Sequence, residues 1–222
     1  MKPNFFQKHP FLKDILSLFS LIIFVVGGTY LLNTYIYRSY NVVGISMENT
    51  LTEDDRVIVN RAAVSFAHFL GQEYIPERGQ IIVFVNEDKD KVAEYKAAGV
   101  KNPMTCNVPD GISDQYIIKR VIAFPGERVV VKDGIMTIYN DEHPDGFIYD
   151  SAWRSSNGSG PKEYTSGEVD IVVPSGEIFV SGDNREGSNS WDSRNGLGTI
   201  PLCRIIGPVA LRIFPFNKIG SF

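Results

Sequence analysis

An unbroken apolar run near the N-terminus constrains this chain more than any other feature. Between Ile15 and Tyr37 the sequence ILSLFSLIIFVVGGTYLLNTYIY contains no charged residue. A helix of that length, rising about 1.5 Å per residue, spans the roughly 30 Å hydrocarbon core of a bilayer. Tyr30 and Tyr35 stand with Tyr37 toward its far end, where amphipathic rings settle at the headgroups. The run therefore predicts a membrane-spanning helix.

The length of the run favours a retained anchor over a removable secretory signal, whose apolar core is only about 7–15 residues long. No A-x-A-like cleavage site follows it. Arg38 comes after the run, whereas three lysines precede it: Lys2, Lys8 and Lys13. By the positive-inside rule the N-terminus is cytoplasmic. We therefore expect a single-pass anchor in residues 1–38 and an extracytoplasmic domain in residues 39–222.

Charge and composition argue against two classes of partner. The 222 residues carry a formal net charge of −4 and a pI near 5.4, so no basic stripe is available to neutralise nucleic-acid phosphates. The histidines His9, His68 and His143 show no ligand spacing, and neither CxxC nor HExxH occurs. We expect no nucleic-acid partner, no metal and no cofactor.

The two cysteines, Cys106 and Cys203, leave their own state open. Outside the cytoplasm they could form one disulfide, provided that their Cα atoms lie within bridging distance. The alternative is a buried Cys203 thiol in an apolar strand.

Beyond the anchor the sequence changes to short β-type runs separated by turn residues. Six runs predict strands: 55–60, 80–85, 115–124, 127–140, 177–182 and 203–214. Asp133-Gly134 divides one run into a hairpin, and Pro125-Gly126 marks a sharp bend. Two polar stretches, 86–113 and 141–170, interrupt the pattern as surface insertions. Because no strand–helix alternation occurs, the fold class is mainly β: one transmembrane helix, then an antiparallel sheet or barrel-like domain.

A serine just past the membrane exit is the first candidate for chemistry. Ser46 lies in NVVGISMENTL, residues 41–51, ahead of a polar turn. Such a serine is either an ordinary surface hydroxyl or a nucleophile working at the bilayer surface. An extended chain from Arg38 to Ser46 reaches at most about 26–29 Å, so the hydroxyl stays near the outer leaflet.

A lysine inside an apolar strand is the second candidate. In QYIIKRVIAF, alternation places Lys119 on one face with Ile117, Val121 and Ala123. One interpretation is a lysine that snorkels at a strand edge and pairs with an acidic neighbour. The other is a desolvated amine whose pKa falls from about 10.4 toward neutrality, so that it can take a proton from a serine hydroxyl.

Four segments, in this order, resemble the conserved blocks of bacterial type I signal peptidases (leader peptidases), a family of Ser–Lys serine proteases: GISMENTL, RGQIIVF, IIKRVIAFPGE and SGDNREGSNSWDSR. The resemblance covers most of residues 41–214 apart from the two insertions. It implies a serine endopeptidase of the plasma (inner) membrane that removes N-terminal signal peptides from exported preproteins. Its partners would then be preprotein signal peptides and the lipid bilayer.

The resemblance also implies roles for single residues. Ser46 matches the nucleophile and Lys119 the general base, while Met47 packs near the serine and Arg120 follows the base. The Ser46 backbone N–H would donate to the oxyanion. The family prefers small substrate residues at the first and third positions before the cut, which implies shallow apolar pockets with Ile45 among their walls. The last block matches residues that shape and hold the site: Gly182, Asp183, Asn184, Asp192, Ser193 and Arg194.

Three departures from the family pattern stand out. The family usually reads S-M-x-P-T-L, and here Asn49, which can hold a turn through its side chain, replaces the proline. Gly44 stands where some relatives carry a serine that donates to the oxyanion. The last block is two residues longer than usual, so the serine that orients the lysine is Ser188 counted from GDN or Ser190 counted from DSR. The intact S-x-D-S-R favours Ser190.

Two other interpretations stay open. A related Ser–Lys processing peptidase, such as a self-cleaving repressor or a pilin-processing enzyme, would use the same pair of residues, although no DNA-binding half is evident. A catalytically inactive, membrane-anchored β-domain would instead act as a binding module. That module would be indifferent to the loss of the Ser46 hydroxyl.

Overall fold

The apolar run forms a long helix that passes directly into the β-domain. The structure is a computed structural model that describes residues 10–86, 115–148 and 164–222. Helix α1 covers Pro10–Leu31, one π-helical turn covers Leu32–Ile36, and strand β1 begins at once with Tyr37–Asn41. In the described ranges, one helix is long and apolar enough to cross a membrane, Phe11–Ile36, with a mean hydropathy of 2.3.

The prediction that the helix continues to Tyr37 is wrong at its end. The α-helix stops at Leu31, and Tyr37 is the first residue of β1, where it pairs with Asn60. Pairing with strand β2 (Arg56–Asn60) supplies the backbone hydrogen bonds that a further helical turn would have made. Aromatic residues such as tyrosine are also well suited to strands.

The described strands form two antiparallel sheets. The larger has the order β1-β2-β11-β3-β4-β9-β10. Its further members are β2 (Arg56–Asn60), β3 (Ile81–Asn86), β4 (Gln115–Ala123), β9 (Glu177–Ser181), β10 (Ile200–Pro201) and β11 (Ile205–Phe214). The smaller has the order β7-β6-β5-β8, from β5 (Arg128–Lys132), β6 (Ile135–Tyr139), β7 (Phe147–Ile148) and β8 (Val169–Val172). The predicted fold class, mainly antiparallel β after one apolar helix, is confirmed.

The predicted turns are found where the sequence placed them. Asp133 and Gly134 have φ angles of 52° and 82°, as a two-residue type I′ hairpin between β5 and β6 requires. Gly126 adopts φ 85° in the bend before β5. A short helix, α2 (Ala62–Phe69), was not predicted, because its eight residues are too few to show a helical period against the flanking strand.

The two predicted insertions have different outcomes. The first, 86–113, lies outside the described residues apart from Asn86, which ends β3. The second, 141–170, is described at both ends, and each end joins the smaller sheet. Its start supplies β7, which pairs with β6, and its end supplies part of β8, which pairs with β5.

A shift in register alters which residues of β4, the strand that carries Lys119, lie on the same face as the lysine. Ile117 and Val121 pack on the same cluster of core residues, as alternation predicts. Ala123, predicted on that face as well, packs with Ile122 in the core of the smaller sheet instead. A β-bulge between Val121 and Ala123, in the pairing of β4 with β9, reverses the alternation there.

Cys203 lies in a 3₁₀ turn, Leu202–Arg204, rather than in the strand predicted from residue 203. Its side chain is only half-buried. Cys106, the other cysteine of the predicted alternatives, lies outside the described residues.

Candidate active site

A tight turn after β1, residues 45–51, carries Ser46; we call it the serine turn. The backbone N–H of Glu48 donates to the Ile45 carbonyl at 3.1 Å, and that of Leu51 donates to the Met47 carbonyl at 2.8 Å. The side chains of Met47 and Leu51 are fully buried and pack on Val42, so they hold the turn against the core. Ser46 stays half-buried at the surface of this turn.

Asn49 gives the turn a shape that proline could not. Its φ is 83°, in the left-handed region, whereas the proline ring fixes φ near about −65°. Asparagine tolerates the left-handed region better than most residues. The departure from the S-M-x-P-T-L pattern is therefore a different backbone conformation and not only a change of side chain.

Lys119 approaches the serine from the middle of β4. Its Cα lies opposite Ile82 of β3, and only 4% of its surface is exposed. The Lys119 Nζ lies 2.7 Å from the Ser46 Oγ and donates to the Ile118 carbonyl at 2.9 Å. These two residues, 73 positions apart in sequence, are thus in direct hydrogen-bond contact.

Burial of Lys119 makes its charged form less favourable than that of an exposed lysine. Burial lowers the pKa of the amine to about 8, because the charged form loses its hydration. The carboxylates of Asp192 and Asp183 act in the opposite direction and moderate the fall, while Arg194 adds to it. At pH 7 roughly a tenth of the amine is therefore unprotonated and able to accept a proton.

A backbone donor stands beside the Ser46 hydroxyl. The Ser46 backbone N–H has no acceptor among the described residues. Gly44, at φ 83°, carries no side chain, and the space that a Cβ would occupy there is open. Gly44 therefore offers no side-chain donor beside the Ser46 N–H.

Asp183 and Arg120 form a buried, two-pronged ion pair behind the site. The Arg120 Nε donates to Asp183 Oδ1 at 2.8 Å, and its Nη2 donates to Oδ2 at 2.6 Å. Arg120 Nη1 also donates to the Gly79 carbonyl at 2.6 Å. Thr50, near the end of the serine turn, donates from its hydroxyl to Asp183 Oδ2 at 2.5 Å. One carboxylate thus links the lysine strand to the serine turn.

Gly182 and Asn184 hold the serine turn from the other side. The Asn184 backbone N–H donates to the Ser46 carbonyl at 3.1 Å, and its side-chain amide donates to the Ile45 carbonyl at 3.1 Å. A Cβ on Gly182 would lie 2.3 Å from the Ser46 carbonyl oxygen and 2.2 Å from the Ser190 Oγ. Only glycine allows the two backbones to approach so closely.

Asp192 is fixed by donors on every side. Its carboxylate accepts from the Arg194 guanidinium at 2.8 Å, the Gly182 N–H at 2.9 Å and the Ser181 hydroxyl at 3.1 Å. Burial alone would raise the pKa of Asp192, but Arg194 and the Gly182 N–H hold it below its ordinary value. The Ser193 hydroxyl donates to the Gly198 carbonyl and accepts from the Val180 N–H, so its contacts lie away from Ser46 and Lys119.

The two candidate orienting serines differ in burial. Ser188 is exposed, whereas Ser190 is fully buried against Gly182. The Ser190 hydroxyl lies near enough to the Asp192 carboxylate to help lower the pKa of Asp192, but it makes no well-aligned hydrogen bond to a described residue. Of the two, Ser190 is therefore the one that packs against Gly182, which itself contacts the Ser46 carbonyl.

An open groove of about 620 Å³ contains both Ser46 and Lys119. Apolar side chains from the end of β1, the serine turn and β4 line most of it, Ile45 among them. Four further residues belong to this region although no role was predicted for them from the sequence: Tyr116, Asn189 and Trp191 line the groove, and Thr50 lies behind it. Only the fold brings them to the site. Within the described ranges, no three metal-ligating side chains lie close enough to hold an ion.

Comparison with known proteins extends over nearly the whole chain. The family model described as signal peptidase, peptidase S26, matches residues 14–214. Signal peptidase I of Bacillus amyloliquefaciens is 30% identical over 200 residues, which are 88% of this chain and 83% of that protein. The probable signal peptidase I-1 of a Synechocystis strain is 32% identical over 185 residues, 80% of this chain and 72% of that protein.

A solved signal peptidase I from Enterococcus faecalis is also similar to this chain. It is 25% identical, and the match covers 60% of this chain and 96% of that one at a TM-score of 0.36. The family assignment rests on the sequence matches alone.

Proposed function

The chain belongs to the signal peptidase family, peptidase S26, and we propose that it is a membrane-anchored serine endopeptidase that removes signal peptides from exported preproteins, with Ser46 as nucleophile and Lys119 as general base. The observation that carries the proposal is the 2.7 Å contact between the Ser46 Oγ and the buried Lys119 Nζ, inside an open groove.

Acylation begins with the neutral amine. Lys119 Nζ takes the proton of the Ser46 hydroxyl as Oγ attacks the carbonyl carbon before the cut, forming a C–O bond. The carbonyl oxygen becomes an oxyanion and accepts from the Ser46 backbone N–H, a type of donor worth about 3 kcal/mol in the transition state. The C–N bond then breaks, and Lys119 returns its proton to the leaving amine, which begins the mature protein.

Deacylation repeats the sequence with water. Lys119 removes a proton from a water molecule, whose oxygen attacks the ester carbon and forms a second oxyanion in the same place. The C–Oγ bond then breaks, and the protonated amine restores the Ser46 hydroxyl. The products are the signal peptide with a new C-terminal carboxylate and the regenerated enzyme.

The remaining residues of the last block would act through these two. Ser190 is proposed to orient the Lys119 amine, because its buried hydroxyl lies against Gly182, which in turn touches the Ser46 carbonyl. The Arg120–Asp183 pair and Asn184 would hold the distance between lysine and serine. Asp192 and Arg194 would fix the loop that carries Ser190.

Substrate binding follows from the walls of the groove. An extended peptide projects alternate side chains to one side, so every second residue of the segment before the cut would face the apolar wall that includes Ile45. Small side chains would fit there. With helix α1 as anchor in the plasma membrane, residues 1–38 would face the cytoplasm and residues 39–222 the outside, where signal peptides emerge.

Two substitutions test the proposed pair in the full chain in detergent micelles. Ser46→Ala removes the nucleophile and Lys119→Ala the base, so each should lower the rate of preprotein cleavage by roughly 10⁴–10⁶-fold. The assay is gel-resolved cleavage of a preprotein with an intact signal peptide, with thermal unfolding measured in parallel.

Matched controls lie on neighbouring strands. Ser39→Ala removes an exposed hydroxyl from β1, and Lys132→Ala removes an exposed lysine from β5. Both should cleave at the unsubstituted rate. Cleavage that persists in a folded Ser46→Ala protein would assign the activity elsewhere and leave the β-domain as a binding module.

A further inference from the structure

Helix α2 is bound to the end of the membrane-spanning helix. The Ser65 hydroxyl donates to the Tyr35 carbonyl at 2.9 Å, and the Arg61 backbone N–H donates to the Ile36 carbonyl at 2.7 Å. The last carbonyls of a helix lack partners within the helix itself. Because α2 and the residue before it supply those partners, α2 is fixed to the point where the apolar span ends.

The outer face of α2 is apolar, unlike that of an ordinary surface helix. Phe66 is 64% exposed and Phe69 is 84% exposed, and Leu70 directly after the helix is exposed as well. These positions are spaced i, i+3 and i+4, so they form one stripe. The sequence of α2, AAVSFAHF, contains no lysine, arginine or carboxylate, although charged residues normally cover the solvent face of a helix.

The stripe lies at the height of the lipid headgroups if α1 spans the bilayer. Phe66 and Phe69 are one and four residues beyond Ser65, which is about 1.5–6 Å of rise along the helix axis. The interfacial layer on each side of a bilayer is about 5–8 Å thick. The bond between Ser65 and the anchor therefore holds both phenylalanines within, or next to, that layer.

We propose that α2 is an interfacial helix that inserts Phe66, Phe69 and Leu70 into the outer leaflet beside the anchor, so that the lipid bilayer is the partner of this face. This inference rests on the proposed membrane anchoring by α1. Its consequence is that the β-domain has two attachments to the membrane, the span and the α2 stripe. Two attachments restrict rotation of the groove about the anchor, which one span alone does not.

Tryptophan substitutions in the full chain test this proposal. Phe69→Trp reports on α2, Val25→Trp on the middle of α1, and Tyr164→Trp on an exposed aromatic position next to the smaller sheet. Each chain is placed in vesicles of phosphatidylcholine and phosphatidylglycerol with brominated acyl chains. The emission is read as a difference from the unsubstituted chain, together with quenching by acrylamide in the water phase.

We expect Phe69→Trp to be quenched by shallow bromines and shielded from acrylamide, and Tyr164→Trp to show the reverse. If Val25→Trp is quenched by deep bromines but Phe69→Trp is as open to acrylamide as Tyr164→Trp, the interfacial helix is refuted while the anchor stands. If Val25→Trp is not quenched, the proposed anchoring itself fails. Shielding of Phe69→Trp that appears only with added signal peptide, or only at high protein density, would assign the face to substrate or to a second copy and overturn the proposal.

Discussion

Each sheet contains an arginine that pairs with an aspartate, and the two pairs have nearly the same geometry in opposite surroundings. Arg120 and Asp183 meet through two bonds of 2.8 and 2.6 Å, and Arg128 and Asp170 meet through two of 2.7 and 2.6 Å. In the first pair the side chains are 9% and 0% exposed, and in the second 50% and 57%. Distance alone therefore does not tell which pair the molecule depends on.

The two pairs differ in how much stability is lost when one partner is removed. Water can solvate an exposed arginine whose carboxylate is gone, so such pairs contribute little. A buried charge left without its partner has no such replacement. In this molecule the buried pair joins β4 to the serine turn through Thr50, whereas the exposed pair crosses only between β5 and β8. The site therefore lies on the larger sheet, whose arginine–aspartate pair is buried.

The largest effect that separates the two pairs is expected from Asp183→Ala. It leaves Arg120 buried without its carboxylate and frees Thr50, so the free energy of unfolding should fall by about 3–5 kcal/mol. Cleavage should fall with it, because the lysine strand and the serine turn lose their common support. Urea unfolding of the detergent-solubilised chain and cleavage of a preprotein measure the two effects.

A double substitution sharpens the same comparison. If the loss comes from an uncompensated charge, Arg120→Met combined with Asp183→Leu should recover much of the stability that Asp183→Ala removes, because two apolar side chains can replace a buried pair. A double variant as unstable as the sum of the single variants would mean that the pair itself, and not the stranded charge, stabilises the fold.

An effect of intermediate size is expected when kcat/KM is measured against pH. It depends on the burial of Lys119, which lies in the larger sheet like Arg120. Since the pKa of Lys119 is lowered to about 8, and the neutral amine is the active form, kcat/KM should rise with pH and level off above about 8. Below that value it should fall about tenfold per pH unit. The profile is measured between pH 6 and 10 with a peptide substrate that has no titrating group in that range. A flat profile through pH 8 would exclude Lys119 as the titrating base.

The smallest effect is expected from Arg128→Ala in the other sheet. Both partners are exposed, so the remaining Asp170 is hydrated by water. Cleavage and the urea midpoint should both match those of the unsubstituted chain. A loss comparable with that of Asp183→Ala would show that the two-bond geometry, and not burial, sets the strength of these pairs.

The sequence was sufficient for the parts of the molecule that follow a period or a motif. The β-runs, the Asp133-Gly134 turn and the order of the four blocks could be read directly, because strand alternation and turn chemistry are local. The blocks also selected Ser46 and Lys119, and the structure brings those two side chains into contact. Geometry of this kind, between residues 73 positions apart, is supplied by the fold and not by spacing.

Other features could not be predicted because they depend on distant strands. The bulge that turns Ala123 away from the face of Lys119 is set by the pairing of β4 with β9. Tyr37 looks like part of an apolar helix, yet its pairing with Asn60 makes it a strand residue. The S-x-D-S-R motif favoured Ser190 over Ser188, but a loop sequence does not reveal that Ser190 is buried and Ser188 exposed.

Because the apolar helix passes into β1 without a linker, the length of β1 determines how far the serine turn lies from the end of that helix. Strand β1 starts at the residue after the last turn of the span and runs five residues before the serine turn, about 13 Å from Tyr37 to Asn41. The length of this stiff strand, and not a flexible linker, would then set the height above the bilayer at which a substrate is cut. Lengthening β1 by two residues would raise the cutting point by about 6–7 Å and keep its faces, whereas one added residue would turn them over.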